Sequence, residues 1–187
     1  SADRAGSPRF GRFGENAIYC GAMAALHPEI VHFTIALAIV GVVFRLISLF
    51  GRPAFAGPLA ATLIVLSAAS SVVAVQSGVA AHGPVERAPG TRGAVVEHEE
   101  WGERARNVLL LAAIAEIIGL FFIRSAKANV ARSVAAAVGV LAAFCVYEAA
   151  EHGGELVYNY AGGVGIRSGH PGDVERLILA GVYHQAL

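Results

Sequence analysis

Charge is what this sequence has least of. Only 15% of its 187 residues are Asp, Glu, Lys or Arg, where an ordinary soluble domain carries about 25%. The fourteen basic and fourteen acidic residues cancel to a formal net charge of zero, so no basic footprint argues for nucleic acid. Cysteine is nearly as scarce. Cys20 and Cys145 lie far apart, and no disulfide framework follows from them. No C-x-x-C-H occurs, which excludes covalent c-type haem attachment. "HEEWG" at 98–102 lacks the second histidine of H-E-x-x-H, which excludes that class of zinc protease. "GGVGIRSG" at 162–169 follows no expected strand and lacks G-K-[ST], so a turn is expected there rather than a phosphate loop. No serine sits in a nucleophile-elbow context.

What the chain has is apolar sequence: 56% hydrophobic residues and a mean hydropathy of +0.60. Four apolar runs stand out, roughly 31–50, 54–76, 107–123 and 133–150. A spanning helix needs about 20 such residues at about 1.5 Å each. The third run is short, but the helix-forming "EHEEWGERAR" before it extends it. The fourth is rich in Ala and Gly, which lets helices approach closely. "GRP" joins the first pair of runs and "RSAKANVAR" the second, and short connections make antiparallel neighbours. The expected fold is all-α: an integral membrane antiparallel four-helix bundle over residues 27–160. A partly interfacial N-terminal tail (1–26) precedes it, and a C-terminal tail (161–187) follows. In that tail Asp173 caps a helix whose stripe of Val174, Leu177, Ile178 and Val182 suits a membrane surface or a partner. Arg52, Arg124, Lys127 and Arg132 mark the short connections as cytoplasmic, so both termini are expected on the extracytoplasmic side.

On this topology every helix brings a histidine to its outer end: His27 and His32, His82, His98 and His152. His27-Pro28-Glu29 has the composition of a helix start. His27 and His32, five apart, do not share a face, whereas Glu148 and His152, four apart, do. Imidazole is the commonest metal ligand and an axial ligand of haem iron, and bundle cores are a usual place for such sites. The candidate cofactor ligands are therefore His27, His32, His98 and His152, with Glu148 as a further ligand or a partner orienting an imidazole. His32 with His152, nearest the apolar layer, is the first choice of axial pair. A bare ion would use His27, His98 and His152 with Glu97, Glu99, Glu148 or Glu151, a mixed set suited to iron or zinc. The plainer alternative is that histidines at helix ends only compensate dipoles at headgroup level. Arg45 and Glu116 fall deep in apolar runs, where ionisable groups are costly, and are expected to form a structural ion pair.

"HPEIVHFTIAL" at 27–37 resembles the H-P-x-x-V-H-F-P-I-A-L opening of an uncharacterised bacterial membrane family, domain of unknown function 2231. "HEEWG" and "HGGELVYNYAGGVGI" are similar to its other two hallmarks, and the resemblance runs over roughly 25–166. Thr34 replaces the usual proline. By this resemblance His27, His32, His98 and His152 occupy the family's recurring polar positions. Such domains occur beside Rieske and cytochrome-type domains, which implies a redox setting in the bacterial inner membrane with haem b as cofactor. The expected function is haem or metal binding for electron transfer at the extracytoplasmic face, with a quinol or a cytochrome c-type partner, rather than a stand-alone enzyme. The alternative is an accessory subunit of a larger respiratory or photosynthetic complex.

Overall fold

The structure, a computed structural model, describes residues 11–51, 53–86, 91–122, 125 and 127–160, with side chains from Met23 onward except at 83, 84, 159 and 160. Among them are four helices: α1 (Gly11–Ser48), α2 (Ala56–Val85), α3 (Arg92–Phe121) and α4 (Ala128–Tyr160). Three carry stretches long and apolar enough to cross a membrane, Met23–Ser48, Ala56–His82 and Ala128–Tyr158. α3 is not among them, because its first half holds Glu97, Glu99, Glu100, Glu103, Arg104 and Arg106. Only its second half, from Asn107, is apolar.

α1 begins well before the expected start at His27, and Pro28 lies inside it. A proline within a helix removes one N–H, here the donor to the Ala24 carbonyl, without ending the helix outright. Residues 11–26, expected as a tail, contain no other strong breaker and continue the helix. The stripe expected over 174–182 lies outside the described residues.

α1 packs chiefly on α2 and α3 on α4, with α2 also against α3. The contacts pair opposite ends. His27, early in the apolar part of α1, meets Ala74 and Ser77 late in α2, while Arg45, late in α1, meets Gly57 at the start of α2. α3 and α4 pair the same way, His98 against Ala149. Gly51, at φ +76°, supplies the left-handed turn that closes α1.

Small side chains fill the core: Ala38, Ala68, Ala105, Ala112, Ala113 and Ala142 surround Ile64 and Leu109. Helices this close leave no room for larger residues. A Cβ on Gly41 would stand 2.9 Å from Ile64 Cγ1. Hydroxyls tie the same interface: Ser67 Oγ donates to the Thr34 carbonyl at 3.0 Å, and the Thr34 and Ser70 hydroxyls meet at 2.5 Å. Large apolar side chains point outward instead, with Phe33, Leu111 and Phe144 all more than half exposed. Small and polar groups inside with bulky apolar groups outside is the arrangement of helices that meet in lipid, where burying apolar surface drives nothing and close packing does.

At the Ser48–Ala56 end, the Arg45 guanidinium binds the Glu116 carboxylate in a fork. Nε donates to Oε1 at 2.6 Å and Nη2 donates to Oε2. Both side chains are buried, and Ser48 Oγ takes a third hydrogen bond from Arg45 Nη1 at 3.1 Å. The pairing expected from the sequence is present.

Candidate functional site: facing imidazoles at one end of the bundle

α1 and α3 stand diagonally in the bundle, and each sends one imidazole toward the centre. The ring centroids of His27 and His98 lie 6.2 Å apart, with the ring planes at 78°. Each is fixed by a backbone carbonyl of the helix beside it. His27 Nδ1 lies 3.0 Å from the Ala74 carbonyl and 2.9 Å from Ser77 Oγ, and the Ser77 hydroxyl itself donates to Ala74 O at 2.8 Å. With the serine proton so engaged, both atoms facing Nδ1 are acceptors, so Nδ1 carries the ring proton. His98 Nδ1 lies 3.0 Å from the Ala149 carbonyl, again only an acceptor. Both histidines thus hold the tautomer whose lone pair is on Nε2, the state in which a ligating imidazole is usually held.

Burial holds the His98 imidazole below its ordinary value near 6.5; its carbonyl hydrogen bond opposes the shift, and His82 and His152 nearby add to it. His98 therefore stays neutral, as a metal ligand must.

Beside the two rings runs a cleft of about 80 Å³. Its walls are apolar, among them Val31, Ile35, Val75 and Leu109, and His82, Glu99 and Arg106 also line it. His82 Nδ1 approaches Glu99 Oε2 at 3.8 Å. His152 sits just outside, stacked on Trp101 with planes 13° apart, its Nε2 3.8 Å from Glu97 Oε1 and its Nδ1 3.7 Å from Glu155 Oε2. Arg104 covers the Trp101 ring at 4.7 Å from its centre.

Of the candidate ligands, the structure brings His27 and His98 together and places His152 beside them, behind Trp101. It does not bring His32. That side chain is exposed, its Nδ1 donating to the Pro28 carbonyl of its own helix at 2.6 Å. The His32–His152 axial pair is therefore not assembled, because His32 shares a stripe with the outward-facing Ala36 and Ile39. Glu148, half-buried on α4, is not among the residues lining the cleft. His82, which the sequence places at the right end, joins the cleft. Among the described residues no group of three His, Cys, Asp or Glu side chains is placed to hold a metal ion.

The signal that singles out His27 over His32 is spacing. Eighteen residues, five full turns at 3.6 per turn, separate His27 from Arg45, so the two share a face. The same eighteen separate His98 from Glu116. Since the charged pair faces the core, the histidines on the same faces turn inward as well, where both are half-buried.

Fold and site together define a helical membrane protein whose buried ion pair and facing imidazoles lie at opposite ends of a small-residue core. The chain belongs to the family described as a predicted membrane protein, DUF2231, whose model matches residues 23–166. No curated protein and no solved structure matches it.

Proposed function

We propose that this protein is an antiparallel four-helix bundle of the bacterial inner membrane. In this reading its histidine end and both termini face the extracytoplasmic side, and it binds a metal there for electron transfer. Orientation follows from the basic residues Arg52, Arg124, Lys127 and Arg132 that the sequence places in and beside the two short connections. α3 completes the bundle by inserting only its apolar half from Asn107, leaving its charged half at the outer surface. The buried Arg45–Glu116 pair in that inserted half supports the arrangement, since an intramembrane charge is tolerated where it is paired.

The observation that carries the metal reading is the His27–His98 pair. Two imidazoles bonded to one tetrahedral metal atom at about 2.0 Å place their ring centres about 5 Å apart; these stand at 6.2 Å, so a bound ion would draw the rings about 1 Å closer. Both donate Nδ1–H to a carbonyl, the outer-shell partner that orients ligating histidines. Iron and zinc suit such ligands. Haem b fits less well: the cleft of about 80 Å³ is far below the several hundred Å³ of an ordinary ligand pocket. A porphyrin would require α2 and α3 to part. A bound iron would supply one-electron exchange at the surface. The residues would hold it neutral-ligand bound and screen it from water behind Trp101 and His152. The apolar cleft wall with its polar rim suits a quinol head group arriving from the bilayer, and a cytochrome c-type protein is the alternative donor or acceptor.

A structural role in a larger membrane complex is the second reading. It is favoured by the same carbonyl bonds, which by themselves tie α1 to α2 and α3 to α4. Absorbance and metal analysis of the protein purified from its native membrane separate the two. Iron near one per chain without a Soret band is the expected result; zinc in its place keeps the metal site and contradicts electron transfer. A Soret band that moves on dithionite makes the occupant haem. A colourless, metal-free protein with co-purifying partners contradicts the metal reading and leaves the structural one.

A further inference from the structure

The equal spacing of His27 to Arg45 and of His98 to Glu116 extends along both helices. Thr34, Ala38, Gly41, Val42 and Arg45 are buried on α1; at the same intervals Ala105, Leu109, Ala112, Ala113 and Glu116 are buried on α3. The other two helices repeat as well. Buried Ala60, Ala61, Ile64, Ser67 and Ser71 of α2 are matched by buried Ala135, Ala136, Gly139, Ala142 and Val146 of α4. Burial repeats here, while chemical identity has drifted. α1–α2 and α3–α4 are thus two versions of one helical hairpin. Both histidines lie at one end and both charged residues at the other, so the axis relating the hairpins runs along the helices. This is the parallel kind of internal repeat, with its axis along the membrane normal.

The repeat includes the site. His27 binds the Ala74 carbonyl and lies on Gly78, four residues further along α2. His98 binds the Ala149 carbonyl and lies on Gly153, four residues further along α4. A Cβ added at Gly78 would stand 3.0 Å from His27 Cε1, and one at Gly153 would stand 2.9 Å from His98 Cε1. A side chain at either glycine would press on the ring above it and shift it. The same three parts occur twice: ring, carbonyl and glycine.

We propose that His27 and His98 are the two halves of one symmetric centre, in which a single divalent metal ion sits between their Nε2 atoms on the pseudo-two-fold axis. Gly78 and Gly153 are positioning residues that set both rings. This deepens the metal reading above and rests on it. Two protein ligands leave the remaining coordination positions open to water or to an exogenous donor from the cleft. Neither histidine holds the ion alone, and the two contribute equally.

The test uses the full chain, stripped of metal and titrated with Co²⁺ as a coloured probe. The expected result is one Co²⁺ per chain. His27→Gln and His98→Gln keep a donor for the carbonyl but remove the ligand. Each weakens binding by about 100-fold, and the double variant loses little more, as for groups that act as a unit. Added imidazole restores binding to His27→Gly or His98→Gly, which vacate the ring's place. Gly78→Ala and Gly153→Ala each weaken it by about tenfold, in the range for a displaced orienting contact. Gly93→Ala, with open space around its Cβ, and the exposed His32→Gln leave it unchanged. Should a histidine variant fail to fold, the glycine pair decides. Two ions per chain, tight binding retained by either histidine variant, or alanine variants that bind like the parent would overturn the symmetric centre while leaving a metal protein. A parent chain that takes up no Co²⁺ defeats the metal reading and this inference with it.

Discussion

The Arg45–Glu116 pair offers the sharpest perturbation of the fold. Arg45 is 5% exposed and Glu116 2%, so removing one partner leaves the other largely buried. Breaking a buried pair from one side costs about 3–5 kcal/mol. For a chain of this length each kcal/mol moves the melting temperature by roughly 2–4 °C. Glu116→Gln is therefore expected to lower it by roughly 6–20 °C. Arg45→Met should cost less, because a lone buried carboxyl can take up a proton while a guanidinium cannot lose one. Arg45→Met with Glu116→Leu removes both charges and should recover most of the loss, since apolar replacement of a whole pair is often neutral. Arg45 and Glu116 occupy equivalent positions of the two hairpins, so the exchange Arg45→Glu with Glu116→Arg should also do better than either single change. It should not recover fully. Position 119 offers glycine where Arg45 has Ser48, and Arg132 lines the same cavity. Thermal unfolding in one detergent, followed by helical circular dichroism, reads all five proteins. Single variants that melt within about 2 °C of the parent, less than one kcal/mol on this scale, would refute the reasoning.

Three other outcomes follow from the geometry. The folded chain holds His98 neutral, with its affinity for a proton below the ordinary 6.5 of the unfolded chain. Its contribution to stability is thus complete above pH 6.5 and is lost as pH falls below that value toward the lowered one; melting curves from pH 8 to 5 should show this slope, and His98→Gln should flatten it. Trp101 is the only tryptophan, and it stacks on His152, so His152→Leu should raise its fluorescence while His32→Leu leaves it unchanged. Gly41→Leu forces side-chain atoms into Ile64, already 2.9 Å from the first added carbon, and should destabilise by about 1–3 kcal/mol or more, whereas Gly93→Ala should be within about 0.5 kcal/mol of the parent.

Much of this was legible in the sequence, because membrane insertion constrains composition strongly. The apolar runs gave the helices, and Arg45 and Glu116 were the two opposite charges placed deep in them, away from the histidine end where Glu148 lies. The histidines fell at one end because each borders an apolar run. Which of them point inward was less legible. His27 and His32 both border the layer, and choosing between them needs the buried stripe of α1, which in a membrane helix is marked by small residues and not by large apolar ones. His32 looked better placed because it lies deeper, but depth says nothing about rotation. Gly78 and Gly153 carried no signal by themselves, since glycine in a membrane helix usually marks close packing; only a ring against the bare backbone gives them meaning. The repeat was hidden for a related reason. It conserves which positions are buried, and a buried Gly, Ala, Thr or Leu share little at the level of residue type. α3 does not qualify as a span by length and composition as the other three helices do, because the charged first half that extends it has helical but not apolar composition.

X-ray absorption at the metal edge of the protein isolated from its own membrane tests the central claim most directly. Two imidazole nitrogens at about 2.0 Å, both lost in the His27→Gln, His98→Gln double variant, are the predicted result. A metal whose shell contains no imidazole, or a metal-free protein that folds and melts identically with and without added ion, would contradict it.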